Sequence, residues 1–237
     1  MKISATLLLG IPALCLAACT GSLFQSKAVP PTIYVLSAAT AATAATAATA
    51  TTAATATTAA TATIAAPATG TPGAEIPVDL AVLKPRVRTG LETDRIAVMY
   101  PDRRLDYFAD ARWSGTLGEV LQELAVQEFH SHAQLRTVSG DASVFASAYW
   151  LELEVTDFQA EYPAGATTPT VRVHFLARLG GSADRHILGQ FSAGAQQAAT
   201  ENRLTAIVDA YARAADAAMT DIVVQAAGVL TKSSQAR

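Results

Sequence analysis

The sequence predicts an α+β domain of two layers, a mainly antiparallel sheet with two helices packed on one face. Three observations predict it. Tyr149 to Tyr162 and Val171 to Leu176 alternate apolar and polar residues across a Pro163–Pro169 loop, and His186 to Ala199 follows a Gly-rich turn, so three strands run as a meander. Leu117 to Phe129 and Leu204 to Ile222 space their apolar residues by three and four, the period of an amphipathic helix. Residues 74–228 make roughly 155 positions, the size of one domain.

Residues 1–18 read as a lipoprotein signal peptide. Lys2 supplies the positive start, and Ile3 to Leu16 is an apolar run broken by Gly10 and Pro12, too short for a permanent span. Leu16-Ala17-Ala18-Cys19 is a lipobox: the Cys19 sulfur takes the diacylglycerol, and small residues let the signal peptidase reach the bond before it. Cys15 leaves with the signal, so Cys19 is the one cysteine of the mature chain and no disulfide forms. The acyl chains anchor the protein at roughly 0.8 kcal/mol per buried CH₂. By the sorting rule for bacterial lipoproteins, Thr20 in place of Asp favours the outer membrane.

Residues 19–37 form the lipidated N-terminus with a candidate first strand at Tyr34-Val35-Leu36. Residues 38–73 are a low-complexity linker, almost entirely Ala and Thr, uncharged and without a face to bury, and so expected to be disordered or a fraying helix. The Thr density also permits a glycosylated stalk. As a coil of about 34 residues it would span on the order of 30 Å. We expect this arm to set the reach of the domain from the membrane.

Within the domain, Val78, Leu80 and Val82 mark a strand that Pro85 ends. Ile96 and Val98 point one way from the next strand, Ala97 and Met99 the other, and Pro101-Asp102 stops it. An aromatic and arginine-rich segment follows, with Tyr107, Phe108 and Trp113 beside Arg103, Arg104 and Arg112. Ser114 or Thr116 caps the first helix, Glu119 sits in its first turn, and Leu117, Val120, Leu121, Leu124, Val126 or Glu128, and Phe129 form its stripe. Gln134 to Val138 reads as a short strand. In the long strand, Phe158 falls on the face of Glu152 and Glu154, which calls for a bulge or twist near Asp157. Asn202 caps the final helix, Gly228 stops it, and residues 229–237 are a flexible tail.

Catalytic motifs are weak. His130-Ser131-His132 offers two imidazoles, but a metal needs three or four ligands and reads better as a positive helix end. Glu152 and Glu154 share a strand face without an apolar cleft around them. No Gly-x-Ser-x-Gly elbow or phosphate loop occurs. We expect neither enzyme activity nor a metal. The formal charge is −3, and loss of Lys2 leaves −4, which argues against nucleic acid. Arg95, Tyr107, Arg112 and Trp113 carry two readings: Trp113 packs helix on sheet while the arginines pair with Asp94, Asp106 and Asp110, or these residues anchor an interface.

Leu91, Asp94, Arg95, Ile96 and Val98, then Leu105, Tyr107, Arg112 and Trp113, then Leu117, Leu121 and Leu124 resemble the auxiliary lipoproteins of ABC-type lipid transporters, the PqiC-like family. The resemblance covers roughly residues 78–228, and Tyr34-Val35-Leu36 resembles the strand that opens such domains. That strand either still joins the sheet, with the Ala/Thr segment looped out, or has lost its place. The resemblance implies an outer-membrane lipoprotein facing the periplasm that docks a tunnel protein with mammalian-cell-entry (MCE) domains. A separate permease and ATPase would drive the system, and ring-like self-association is compatible with it. No cofactor is expected beyond the diacylglycerol and N-acyl chain carried by Cys19. The rival is a monomeric periplasmic lipid carrier, which needs an apolar cavity; a further option is a structural envelope lipoprotein without a transporter.

Overall fold

The computed structural model describes residues 30–38, 76–140 and 146–235. Among the described residues the fold is mixed α+β, a nine-stranded open sheet with two helices. Its strands are β1 (Thr32–Tyr34), β2 (Ile76–Val82), β3 (Arg86–Val87), β4 (Arg95–Met99), β5 (Leu105–Trp113), β6 (Leu135–Ser139), β7 (Tyr149–Glu161), β8 (Thr170–Gly181) and β9 (Ile187–Ala198). The helices are α1 (Leu117–His132) and α2 (Leu204–Gln235). Among the described residues no helix is long and apolar enough to cross a membrane.

Strand β7 is the axis. One edge pairs antiparallel with β8, which pairs antiparallel with β9, as the alternation predicts. The other edge takes β2, β3 and β4 in turn, all parallel to it. Pairing β5 antiparallel to β4 and β1 parallel to β5 completes that side, while β6 runs parallel to β2. The bulge expected near Asp157 falls at Thr156: Val155 pairs with Phe175 and Asp157 with His174, leaving Thr156 as the extra residue. It returns Phe158 to the core, where it is buried.

Helix α1 starts at Thr116, whose N–H donates to Glu119 Oε2 at 3.1 Å. Hydrogen bonds from the Thr116 side chain and backbone, and then the nearby Lys84 ammonium, hold the Glu119 carboxyl below the usual carboxylate range. The buried stripe takes Ala125 and Glu128 rather than Val126. Helix α2 packs on β8, β9 and β2, and α1 packs on α2, β2 and β6. Tyr211 of α2 is fully buried, and its hydroxyl donates to the Ala97 carbonyl at 2.5 Å. Alanines at 206, 210, 214, 215, 218 and 226 are buried along α2 and let its backbone lie close to its neighbours.

Four expectations are corrected. The aromatic and arginine-rich segment is itself strand β5, bulged so that five residues separate positions that span two on β4. Asn202 does not cap α2: Arg203 O accepts the first helical bond, from Ile207 N, and Asn202 Oδ1 instead accepts from the Tyr162 hydroxyl at 2.7 Å. Gly228 does not stop α2, and the expected tail is helix as far as Gln235, because Leu230 beyond the glycine is fully buried. The expectation that the Ala/Thr arm sets the reach of the domain is the fourth, since of the two places left open for the first strand the structure takes the one in the sheet, at Thr32–Tyr34, with Leu36 buried in the core. Both ends of the Ala/Thr segment are therefore held by one fold. Its length does not set the distance from Cys19 to the domain.

Candidate functional site

Cys19 lies outside the described residues. The other four singled-out residues fall on β4 and β5, and the sheet divides them between its faces. Trp113 points inward and is 3% exposed. Its ring meets Tyr211 nearly edge-on with centroids 5.4 Å apart and Phe158 at 6.0 Å. The ring contacts tie strand β5 to β7 and α2, so Trp113 is a residue of the core.

Arg95, Tyr107 and Arg112 lie on the outer face. Arg95 stands opposite Arg112, and Arg112 opposite Ile33 of β1, so three strands contribute one row. The β5 bulge, with Asp110 at a φ of 52°, takes up the residues between Tyr107 and Arg112 and brings both within reach of Arg95. The Arg95 guanidinium lies 4.2 Å over the Tyr107 ring, whose hydroxyl donates to Gly90 O at 2.7 Å. Arg112 Nη1 is 2.6 Å from Asp94 Oδ2, and this hydrogen bond holds the Asp94 carboxyl below its usual range. Asp106 and Asp110 do not take the arginines: Asp106 Oδ1 accepts from the N–H of Tyr107, and Arg104 lies near Asp102 and over the Tyr100 ring. The face offers two guanidiniums, a ring, a carboxylate and an apolar side chain. That chemistry recognises anionic or amphipathic surfaces.

A second concavity of about 580 Å³ opens beside β2 and β7, with Ala81, Leu83 and Trp150 as apolar wall and Glu152 and Arg185 among its polar residues. The Trp150 indole covers Gly180 and leaves no room for a Cβ there; its Nε1 donates to Gly181 O at 3.2 Å. Sequence reasoning missed Trp150 and its groove, because the walls come from strands far apart in the chain.

The remaining candidates are tied into the fold. Glu152 pairs with Arg86 at 2.7 Å and Arg178 at 3.4 Å, and Glu154 with Arg178 at 3.5 Å. His132 Nδ1 sits 3.0 Å from Glu128 Oε2. Glu128 itself is 0% exposed between α1 and α2. Burial, then the neighbouring Asp216 carboxyl, pushes its carboxyl up to about 7 against the opposing pull of His132 and Thr220. Its stripe position was visible in the helical spacing, but Asp216 lies far along the chain on another helix. Among the described residues no group of three or more His, Cys, Asp or Glu is placed to hold a metal.

The model of the ABC-type transport auxiliary lipoprotein component family matches residues 61–223, more than half of the chain. The chain belongs to this family. The match takes in β2 to β9 and most of α2, including Arg95, Tyr107, Arg112 and Trp113, and leaves β1 outside. Among solved structures the auxiliary lipoprotein is similar to protein XCC0632 from Xanthomonas campestris, at 20% identity and a TM-score of 0.63 over 70% of this chain and 93% of that one. An uncharacterised protein matches at 15% identity and a TM-score of 0.53, covering 64% of this chain and 95% of that one. These likenesses show the fold. No curated protein matches the chain.

Proposed function

We propose that this auxiliary lipoprotein is anchored by acylated Cys19 in the outer membrane, faces the periplasm, and docks the distal end of an MCE-domain tunnel protein whose ABC permease and ATPase lie elsewhere. The observation that carries the reading is the family match over residues 61–223 on a chain that opens with a lipobox at Leu16-Ala17-Ala18-Cys19. The division of labour follows from the residues: Cys19 supplies the membrane, the α+β domain supplies contact surface, and catalysis of ATP hydrolysis belongs to another subunit. Self-association would use strand β9, twelve residues without a charge, which pairs only with β8 among the described residues. Such an edge accepts another strand readily.

The test is a crosslinked pull-down of the acylated protein from its native envelope. Recovery of a tunnel protein with its permease and ATPase is the expected outcome. Recovery of the protein with itself and lipid alone would overturn it in favour of the lipid carrier. The Trp150 groove, of about 580 Å³ and largely apolar in its wall, is the observation that favours this second reading. Native mass spectrometry of the purified protein separates the two, since the carrier retains one lipid per chain and the docking subunit does not.

A further inference from the structure

We propose that the outer face of the β1 edge rests on the surface of the membrane that holds the Cys19 acyl chains, with Ile33 and Val35 entering the headgroup layer and Arg95 and Arg112 meeting lipid phosphates. The proposal rests on acylation of Cys19. It goes beyond it by assigning the domain an orientation and a second, non-covalent membrane contact.

The chain length outside the fold is the first support. Because β1 is paired on β5, the domain is attached thirteen residues after Cys19, at Thr32. Thirteen residues span at most about 45 Å even when fully extended. Were β1 detached, the first attachment would be Ile76, and the same limit would be about 200 Å. The β1 edge is thus the part of the fold with the tightest covalent limit on its distance from the bilayer.

The side chains on that edge are the second support. Ile33 is 64% exposed and Val35 66%, the two highest values among the large exposed hydrophobic residues of the described chain. Ile33 in β1 and Val35 just beyond it are exposed, while Tyr34 is half-buried and Leu36 buried in the core. Ile33 is in register with Arg112 and Arg112 with Arg95, so the apolar pair borders two guanidiniums, of which Asp94 answers one. Apolar side chains beside arginines match the boundary where acyl chains give way to phosphates. An added protein strand fits the edge less well, since β1 offers the backbone groups of only three residues.

The experiment uses the full-length acylated protein in vesicles of phosphatidylcholine and phosphatidylglycerol. A fluorophore sensitive to its surroundings is placed on Ile33→Cys and, in separate samples, on Ile187→Cys and Val224→Cys, which are exposed elsewhere. Lipids spin-labelled near the headgroup should quench the Ile33 probe several-fold more than either control. Equal quenching at the three positions would overturn the proposal. To separate contact from mere tethering, the probe is moved to Thr32→Cys with and without Ile33→Glu and Val35→Glu. The double substitution should reduce quenching at Thr32 to the control level; quenching that persists would overturn the contact. Intact mass distinguishes the underlying failure: an unmodified Cys19 overturns the anchor and the orientation together, whereas an acylated Cys19 with an unquenched Ile33 probe overturns the orientation alone.

Discussion

Trp113, Phe158 and Tyr211 form the aromatic centre in which side chains from two bulged strands and a helix meet, with Phe158 and Tyr211 centroids 5.1 Å apart. Replacing Trp113 with Ala should cost about 3–5 kcal/mol in urea unfolding, since the surrounding sheet and helix cannot close the space. Unchanged stability with lost partner recovery would mean that Trp113 acts at an interface. Tyr211 adds a polar constraint: burial pushes its hydroxyl well above the ordinary range, so it donates to Ala97 O at any working pH. Tyr211→Phe removes that buried hydrogen bond and should cost about 1 kcal/mol in urea unfolding. Glu128 gives the opposite sign. Its folded carboxyl titrates at about 7 against an ordinary 4.5, so the folded state holds a proton that the unfolded state has released between these values. Its contribution therefore weakens as pH rises from 4.5 to about 7 and then levels off. Glu128→Gln, which keeps shape and removes charge beside Asp216, His132 and Thr220, should raise the melting temperature at pH 8 and leave it nearly unchanged at pH 4.5 or below. Equal shifts at both pH values would show that Glu128 is not the titrating group.

At the scale of elements, local periodicity was a reliable guide, while capping signals held at Thr116 and Glu119 for the start of α1 and failed at both ends of α2. The meander of β7, β8 and β9, the Thr156 bulge and the stripe of α1 follow from alternation and three-four spacing, which depend on neighbours in sequence. The parallel pairs of β7 with β2, β3 and β4 join strands 50 to 70 positions apart, and nothing in either strand alone names its partner. The outer row of the candidate site was half legible. Arg95, Tyr107 and Arg112 were picked by residue type, but only the β5 bulge and the β1 register bring Tyr107 and Ile33 to them. Asn202 and Gly228 carried terminal signals that tertiary contacts overrode, Tyr162 taking the asparagine and buried Leu230 drawing the helix past the glycine. Gly228 adopts the helix without a positive φ, so the left-handed turn it would favour is not used. The last two turns of α2 are thus structural. Leu230→Ala should cost about 2–5 kcal/mol, measured as a lower urea midpoint at unchanged slope. A neutral result would place the end of the fold at Gly228.

For the whole molecule, the decisive topological fact is that the chain enters the sheet at β1, leaves through the Ala/Thr segment, and re-enters at β2. A tether and a closed loop have opposite thermodynamic signatures. A tether between the anchor and the domain contributes nothing to unfolding, and its length changes only reach. A loop closed by β1 and β2 costs entropy on folding, and each doubling of length in a flexible chain costs about 0.6 kcal/mol. Removing residues 48–65 about halves the segment between the described residues 38 and 76. The shortened protein should therefore be more stable by roughly 0.6 kcal/mol, with the distance from vesicle surface to domain unchanged by energy transfer from labelled lipid. Inserting the same number of residues between Cys19 and β1 should leave stability alone, and should lengthen that distance once Ile33→Glu and Val35→Glu have removed the membrane contact. The reverse pair of results would mean that β1 is not held in the sheet, that the Ala/Thr segment is the arm, and that Ile33 and Val35 belong to the tether rather than to the domain.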